Sequence, residues 1–451
     1  MFKRILIANR GEIALRIIRT CKRLNIETVV VYSQADKDAV YLKLADRAIC
    51  IGPGPAKASY LKVNTIIAAA EIGDVEAVHP GYGFLSENAH FAEVCRACKI
   101  TFIGPPTQVI ETLGNKISAR QLAKAAGVPT VPGSEGALSN VEEALAISQK
   151  IGYPVLLKAA AGGGGRGMRI CHNDASLRMY FTQASNEAEV AFGDGTVYLE
   201  KYIESARHIE VQILADEHGN VIHLGERDCT IQRRNQKLIE ESPSLAPGFG
   251  KRERYDIQVA AVRLMKTAKY ANAGTVEFIY DIKAGKFYFM EVNTRLQVEH
   301  PVTEMVTGLD LVEEQLRVAS GEPLRFRQKD IQFLGHAIEC RINAEDPRNG
   351  FMPSPGKIGM FLPPAGNNIR MDTHMYAGYT VPPNYDSLLG KLIVHGLTRK
   401  EALLRMRFAL DQMVLEGVAN TASFLREILQ DANFVAGSYD TSFVNKRVGP
   451  T

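Results

Sequence analysis

The chain opens on four apolar residues, Ile5 to Ala8, followed by GEIALRIIRTCKRL with apolar residues at helical spacing, and then by TVVVYS, Thr28 to Ser33. That order predicts a short buried strand, an amphipathic helix and a second strand. EAVHP, a helical stretch after Ser86 and TFIGPP extend the alternation to about residue 110. Strands alternating with helices imply a parallel sheet with helices on its faces. The turn Asn9-Arg10-Gly11-Glu12 joins the first strand to the first helix, where open α/β sheets often bind ligand; a plain connecting turn fits equally well.

The pattern changes near Gly127. GVPTVPGSEG is a proline- and glycine-rich connection, and YPVLLKAAAGGGGRGMRIC follows it. From Val197 to Asn293 the signals turn antiparallel: HIEVQILAD, HGN and VIHLGERD form a hairpin pattern, and so does TVEFIYDIKAGKFYFMEVN. A third region opens near Gly335 with HAIECRINAEDP, passes through PSPG and PPAGNN, and ends in helical stretches such as KEALLRMRFALDQM.

Composition narrows the class. The chain has 451 residues, 46% apolar and 23% charged, values that exclude a mainly disordered or fibrous protein. A net charge of +3 creates no general field for polyanions, so nucleic acid is not an expected partner and any phosphate site is built locally. Seven cysteines are sparse and odd in number, which favours a reduced, cytoplasmic setting over a disulfide framework. Cys95 and Cys98 form a C-x-x-C pair inside a helical stretch with no second pair at zinc-finger spacing, so zinc or redox chemistry is the lesser reading there. MFKRILIANR reads as neither signal peptide nor membrane anchor.

Gly162, Gly164 and Gly167 satisfy G-x-G-x-x-G, but a dinucleotide loop leads into a helix. Here both flanks, PVLLK and MRIC, read as strands. A glycine-rich flap closing over phosphates with backbone N–H groups fits better, with Lys158 at the end of the entering strand. A flexible hairpin with a solvated lysine is the alternative. A protein kinase is excluded because there is no DFG and Asn235 lies seven residues after Asp228, where the kinase loop needs five; no Walker motif is present.

Glu291, Asn293, Arg295, Gln297 and Glu299 alternate strictly with Val292, Thr294, Leu296 and Val298. In an extended chain these five polar residues share a face. A hairpin turn centred on Ala284, with Gly285 at positive φ, sets Glu277 opposite Glu291. Carboxylates roughly 5 Å apart repel by about 3 kcal/mol at an effective dielectric near 20. A divalent ion with hard oxygen ligands, magnesium above all, offsets that repulsion, and Asn293 supplies a further oxygen. The alternative is a solvent-exposed strand face on which Arg295 pairs with a glutamate. A straight strand separates Glu291 from Glu299 by roughly 26 Å, so one site for all five requires the chain to bend back after Asn293.

With these residues in view the chain resembles biotin carboxylase, the ATP-grasp subunit of acetyl-CoA carboxylase and its relatives, over essentially its whole length. The segments that carry the resemblance are ILIANRGEIALRIIR, HPGYGFLSEN, KAAAGGGGRGM, RHIEVQ, ERDCTIQRRNQK, EVNTRLQVEHPVTEM and ECRINAEDP. The resemblance implies an α/β and α+β protein in three parts: a Rossmann-like N-terminal domain over 1–113, an ATP-grasp region over 114–328 with a mobile glycine-rich lid at about 131–203, and a mixed α+β C-terminal domain over 329–447. It implies ATP with magnesium or manganese at two metal sites, activation of bicarbonate as carboxyphosphate, and transfer to biotin held on a carrier protein.

Carried over by motif position, Lys116, Lys158, Gly164, Gly165, His208, Gln232, Asn235 and Glu277 resemble the nucleotide contacts, and Glu200, Lys201, Tyr202 and Ile203 the adenine hinge. Glu277, Glu291 and Asn293 match the metal ligands. Lys237, Arg295, Gln297 and Val298 fall on the bicarbonate pocket, Glu299 on the general base, and Tyr82 and Arg341 on the biotin side. Arg295 can fork a planar anion with two hydrogen bonds, and Arg341 is a fixed cation for charge developing on the ureido oxygen. Without the resemblance, Arg341 reads as a strand arginine in a surface ion pair. Asn235 stands where the family often has histidine; an amide can hydrogen-bond but not titrate.

No A-M-K-M-type biotinylation site and no carboxyltransferase region occurs, so the expected partners are a separate biotin carboxyl carrier protein, carboxyltransferase subunits and, by analogy, a second copy in a homodimer. Acetyl-CoA is the leading final acceptor, with pyruvate or another acyl-CoA the runner-up. A different ATP-grasp ligase that forms an amide through an acyl phosphate is a weaker alternative, and so is a nucleotide-binding module without turnover.

Overall fold

A computed structural model describes residues 1–160 and 168–449. The N-terminal alternation folds as expected. Strands β1 (Arg4–Ile7), β2 (Glu27–Tyr32), β3 (Arg47–Cys50), β4 (Ala77–His79) and β5 (Thr101–Phe102) form a wholly parallel sheet in the order β3-β2-β1-β4-β5. Helix α1 (Gly11–Arg23) follows β1 directly and buries Ile13, Ile17 and Ile18. Ile5, Leu6 and Ile7 are wholly buried, each contributing about 1.5–3 kcal/mol of apolar transfer.

Three strands, β6 (Val155–Ala159), β7 (Arg169–Cys171) and β8 (Val197–Lys201), make a small antiparallel sheet in the order β7-β6-β8. The strands flanking the glycine run therefore pair with each other, as a flap requires; Gly164 and Gly165 themselves lie outside the described residues.

The largest sheet has eight strands in the order β13-β12-β9-β10-β11-β14-β16-β15, antiparallel at every junction. They are β9 (Ala206–Ala215), β10 (Val221–Arg233), β11 (Gln236–Ser242), β12 (Asn272–Asp281), β13 (Lys286–Asn293), β14 (His336–Asn343), β15 (Ile369–Thr373) and β16 (Leu388–Gly396). The sheet runs unbroken across residue 329, so the last three strands extend the surface on which the site is built. Packing on it are α2 (Lys116–Ala125), α3 (His300–Thr307) and the helix Lys251–Thr267. Leu214, Ile222 and Leu224 of this sheet share a core with Ile13 and Ile17 of α1, which ties the N-terminal sheet to it.

The β12–β13 hairpin corrects one expectation. Glu277 does pair with Glu291, but the turn is not centred on Ala284: Asp281 pairs with Lys286 across a four-residue loop. Asp281 accepts from the N–H groups of Lys283 (2.9 Å) and Ala284 (3.1 Å), and Gly285, at φ +63°, closes the loop by donating to the Asp281 carbonyl at 2.9 Å. This pairing is one position out of register with the expected one, and a bulge at Met290 restores it between Phe278–Phe289 and Glu277–Glu291.

No helix among the described residues is long and apolar enough to cross a membrane.

Candidate active site

Register alone assembles a row of charge. Arg227 on β10 pairs with Glu210 on β9, Glu210 with Glu277 on β12, and Glu277 with Glu291 on β13. Directly opposed residues share a face, so four ionisable side chains cross four strands side by side. Arg227 and Glu210 have no exposure. Arg227 Nε donates to Glu210 Oε1 at 2.5 Å, and its two terminal nitrogens reach Gln212, Thr303, Thr275 and Gln297.

Lys237 closes this row from β11. Its ammonium lies 2.6 Å from Glu210, 2.9 Å from Glu277 and 2.5 Å from Glu299. Three carboxylates thus share one cation. Burial works against the charged lysine, but the charges of Glu210, Glu277 and Glu299 overcome it and hold its pKa well above the usual value. Arg341 on β14 is gripped by Glu240 Oε1 at 2.5 Å and Glu299 Oε2 at 2.9 Å, a pair within the site rather than the surface pair its strand position suggested.

Against its own burial, Glu299 is held far below the carboxylate range by Lys237, Arg341 and Arg227. For Glu240, burial and the nearby Glu299 outweigh the charges of Arg341 and Lys237, and its pKa is pushed up to about 7. His208 Nε2 lies 2.9 Å from Glu277 Oε2; burial opposes its charged form, yet the Glu277 charge raises it.

The expected bend is present. β13 ends at Asn293, and the chain folds over Arg295, Gln297 and Val298 into α3, for which Glu299 is the N-cap residue. Asn293 and Gln297 both donate to Glu277 Oε1, at 2.9 and 2.8 Å. Arg295 does pair with a glutamate, as the alternative reading had it, but the partner is Glu87, at 2.8 Å, while another nitrogen reaches Asn293 Oδ1 at 3.1 Å. Lys116 is carried into the site by α2, whose first turn is capped by Asn115; its ammonium lies 3.4 Å from Glu291. Lys158 pairs with Glu200 at 2.5 Å.

A cavity of about 310 Å³ gathers Lys116, Lys158, His208, Gln232, Asn235, Lys237, Glu277, Glu291, Asn293, Arg295, Gln297, Val298, Glu299 and Arg341. A second cavity of about 360 Å³, open to Tyr82 and the Asn9-Arg10-Gly11-Glu12 turn, shares Gln236, Lys237, Arg295, Val298 and Arg341 with the first. Those five residues are the common wall. Lys201, Tyr202 and Ile203 are not among the described residues lining either cavity, and the Lys201 ammonium is turned to the carbonyls of Gly152 and Tyr153. Asn235 occupies the second position of the two-residue β10–β11 turn at φ +64°, a left-handed conformation asparagine tolerates well.

Sequence reasoning passed over Glu87, Glu210, Arg227 and Glu240. Glu210 carried a usable signal, since His208, Glu210 and Gln212 alternate with apolar residues just as Glu291 to Glu299 do. Glu87 carried none: its partner is 208 residues away.

A five-stranded parallel domain joined to a sheet whose buried carboxylates and lysines face a cavity also lined by Lys158 and Tyr198 of the small antiparallel sheet defines an ATP-grasp enzyme. Family models match in three consecutive blocks: biotin carboxylase, N-terminal domain, over residues 1–110; carbamoyl-phosphate synthase L chain, ATP binding domain, over 115–327; and biotin carboxylase C-terminal domain over 339–446. Biotin carboxylase 1 of Bacillus subtilis is 54% identical over 444 residues, 98% of each chain. Among solved structures, a biotin carboxylase–β-γ-ATP complex from Campylobacter jejuni superposes with a TM-score of 0.96 at 50% identity over 99% of each chain. The biotin carboxylase domain dimer of Hydrogenobacter thermophilus 2-oxoglutarate carboxylase, bound to MgADP, ADP and bicarbonate, also reaches 0.96 at 50% identity, covering 100% of this chain and 99% of that one. The chain belongs to the biotin carboxylase family of ATP-grasp ligases.

Proposed function

We propose that this protein carboxylates biotin on a separate carrier protein, using ATP and bicarbonate, and hands the carboxybiotin to carboxyltransferase subunits. The observation that carries this reading is the common wall: Gln236, Lys237, Arg295, Val298 and Arg341 stand between a cavity lined by phosphate-type contacts and one lined by Tyr82. A small anion at that wall faces nucleotide on one side and biotin on the other.

In this reading residues 1–113, 114–328 and 329–447 are the three parts and 131–203 the lid, which the three matched blocks and the separate β7-β6-β8 sheet support. Lys116, Lys158, His208, Gln232 and Asn235 hold the nucleotide, with Glu200 to Ile203 as the adenine edge. Arg295 forks the bicarbonate, and Gln297, Val298 and Lys237 complete its pocket. Glu299 is ionised and poised to accept the bicarbonate proton. An anion beside Lys237 takes over part of that ammonium's charge, which loosens its hold on Glu299 and raises the basicity of the carboxylate. Arg341 stabilises negative charge on the ureido oxygen of biotin.

The donor set fits a hard divalent cation: Glu277 and Glu291 are opposed carboxylates, and Asn293 is the next residue on their face. These three would hold magnesium or manganese, which would supply neutralising charge for a triphosphate. In Glu291→Gln, half-maximal ATP cleavage should need roughly tenfold more magnesium, equivalent to about 1.4 kcal/mol; an unchanged magnesium titration removes Glu291 from the ligand set.

Acetyl-CoA is the acceptor we assign. The 50% identity to a 2-oxoglutarate carboxylase domain keeps oxo-acid acceptors as the second reading, since the acceptor never meets this chain. The organisation assigned is a homodimer working in a reducing, cytoplasmic setting. The deciding experiment is bicarbonate-dependent phosphate release from ATP, stimulated by free biotin. Protein that binds ATP but releases no phosphate under these conditions is a nucleotide-binding module instead.

A further inference from the structure

Lys391 on β16 stands opposite Arg341 on β14 and Asp372 on β15, and its side chain has no exposure. Its ammonium donates to the main-chain carbonyl of Val298 at 2.9 Å and lies 3.1 Å from Glu12 Oε1. Glu12 comes from the first turn of α1 and also accepts the Tyr82 hydroxyl, while its other carboxylate oxygen is buried without a hydrogen-bond partner. One ammonium therefore joins the first helix, the last long strand of the sheet and the loop that carries the reactive residues.

A lysine removed from water costs several kcal/mol, and an apolar residue of similar volume is often neutral or stabilising in such a place. Stability alone does not account for Lys391. The carbonyl it holds belongs to the peptide joining Val298 to Glu299. That peptide is planar, so fixing its oxygen fixes the plane from which Glu299 departs. Glu299 is also the N-cap residue of α3, at φ −81° and ψ 10°, and no side chain caps that end. Within the described residues, Lys391 is the side chain bonded to this peptide.

We propose that Lys391 is a positioning residue for the reaction: held by Glu12, it locks the Val298–Glu299 peptide so that the Glu299 carboxylate meets Lys237 and Arg341 at the bicarbonate end of the site. The proposal rests on the biotin carboxylase reading above and adds to it a tie from α1 to the proton acceptor.

The test begins with the unaltered full-length chain. If it shows no bicarbonate-dependent ATP cleavage, the functional reading falls before Lys391 is reached. With that activity in hand, Lys391→Met, which keeps length and packing but removes the donors, should lower kcat/KM for bicarbonate by about a hundredfold, the scale of an ångström-sized misplacement. The Kd for magnesium-ATP, measured by calorimetry, should stay at the wild-type value. Glu12→Gln, which preserves shape and removes the counter-charge, should lower the same parameter by about tenfold with ATP binding again unchanged. Wild-type kcat/KM for bicarbonate in both variants overturns the proposal. So does a loss that falls equally on ATP affinity and Tm, because that is the mark of a purely structural lysine. If Lys391→Met does not fold, Glu12→Gln decides by the same split.

Discussion

Strands β1 and β2 at the centre of the five-stranded sheet and the middle of the eight-stranded sheet are equally buried and oppositely filled. Ile5, Leu6, Ile7, Val29, Val30 and Val31 have no exposure, and neither do Glu210, Gln212, Arg227 and Glu240. In the first sheet each side chain is stabilised by removal from water, and its neighbours are interchangeable apolar surface. In the second each charge is tolerated only because specific partners neutralise it, so removing one strands the others. The same burial therefore makes one sheet forgiving and the other intolerant, and the intolerant one holds the chemistry.

The largest break in this comparison should come from Lys237→Met. It leaves Glu210, Glu277 and Glu299 without their shared cation, which should destabilise the fold by about 3–5 kcal/mol in urea unfolding and abolish bicarbonate-dependent ATP cleavage. Retained cleavage means that Lys237 is dispensable to the charge cluster. Arg341→Ala comes next. Biotin carboxylation should fall by about 10²–10³-fold, or roughly 2.7–4 kcal/mol, with a smaller loss of biotin-independent ATP cleavage. Equal losses in the two assays contradict a role on the biotin side. Ile7→Val sits in the forgiving sheet, where a lost methyl should cost about 1 kcal/mol in the same unfolding assay and leave kcat untouched. A changed kcat couples the two sheets more tightly than their shared core suggests.

Much of this contrast is written in side-chain periodicity. Continuous apolar runs such as Ile5 to Ala8 announce strands covered on both faces, and the parallel sheet follows from their alternation with helices. The strict alternation from Glu291 to Glu299 marked the segment that lines the candidate site, and the distance limit on a straight strand required the bend that α3 makes. Glu240 was illegible for a physical reason: Leu238, Ile239, Glu240 and Glu241 are all buried, because both faces of β11 are covered, and period two is lost. Glu240 meets Arg341 on one side, while Glu241 meets Arg399 and His336 on the other. Pattern alone misses the bulge: an unbulged hairpin centred on Ala284 sets Met290 and Tyr288 opposite Phe278 and Tyr280, the observed one sets Phe289 and Phe287 there, and both pairs are apolar enough that periodicity does not choose between them.

Histidines sharpen the comparison further, since the same residue type shifts in opposite directions in the two regions. In the charge row, Glu277 raises His208 against the effect of burial. At the base of the N-terminal sheet burial pushes His79 down to about 3, and where the C-terminal region meets α1 burial and the Arg10 guanidinium bring His374 to about 3 as well. His374 is 2% exposed, its ring carbon lies 3.6 Å from where a Gly11 side chain would begin, and Nε2 is 3.2 Å from the Tyr379 hydroxyl. A histidine kept neutral in the folded state takes up its proton only on unfolding, so its contribution is full above pH 6.5. That contribution is lost progressively as pH falls from 6.5 toward 3. At pH 6.0 the loss for one such histidine is about 0.8 kcal/mol relative to pH 7.5. Urea unfolding of wild type and His374→Asn at both pH values isolates this share from every other titrating group. Wild type should lose about 0.8 kcal/mol more than the variant on acidification. A gap that does not change with pH means that His374 accepts its proton in place, and that the region beside α1 is more permissive of charge than its packing implies.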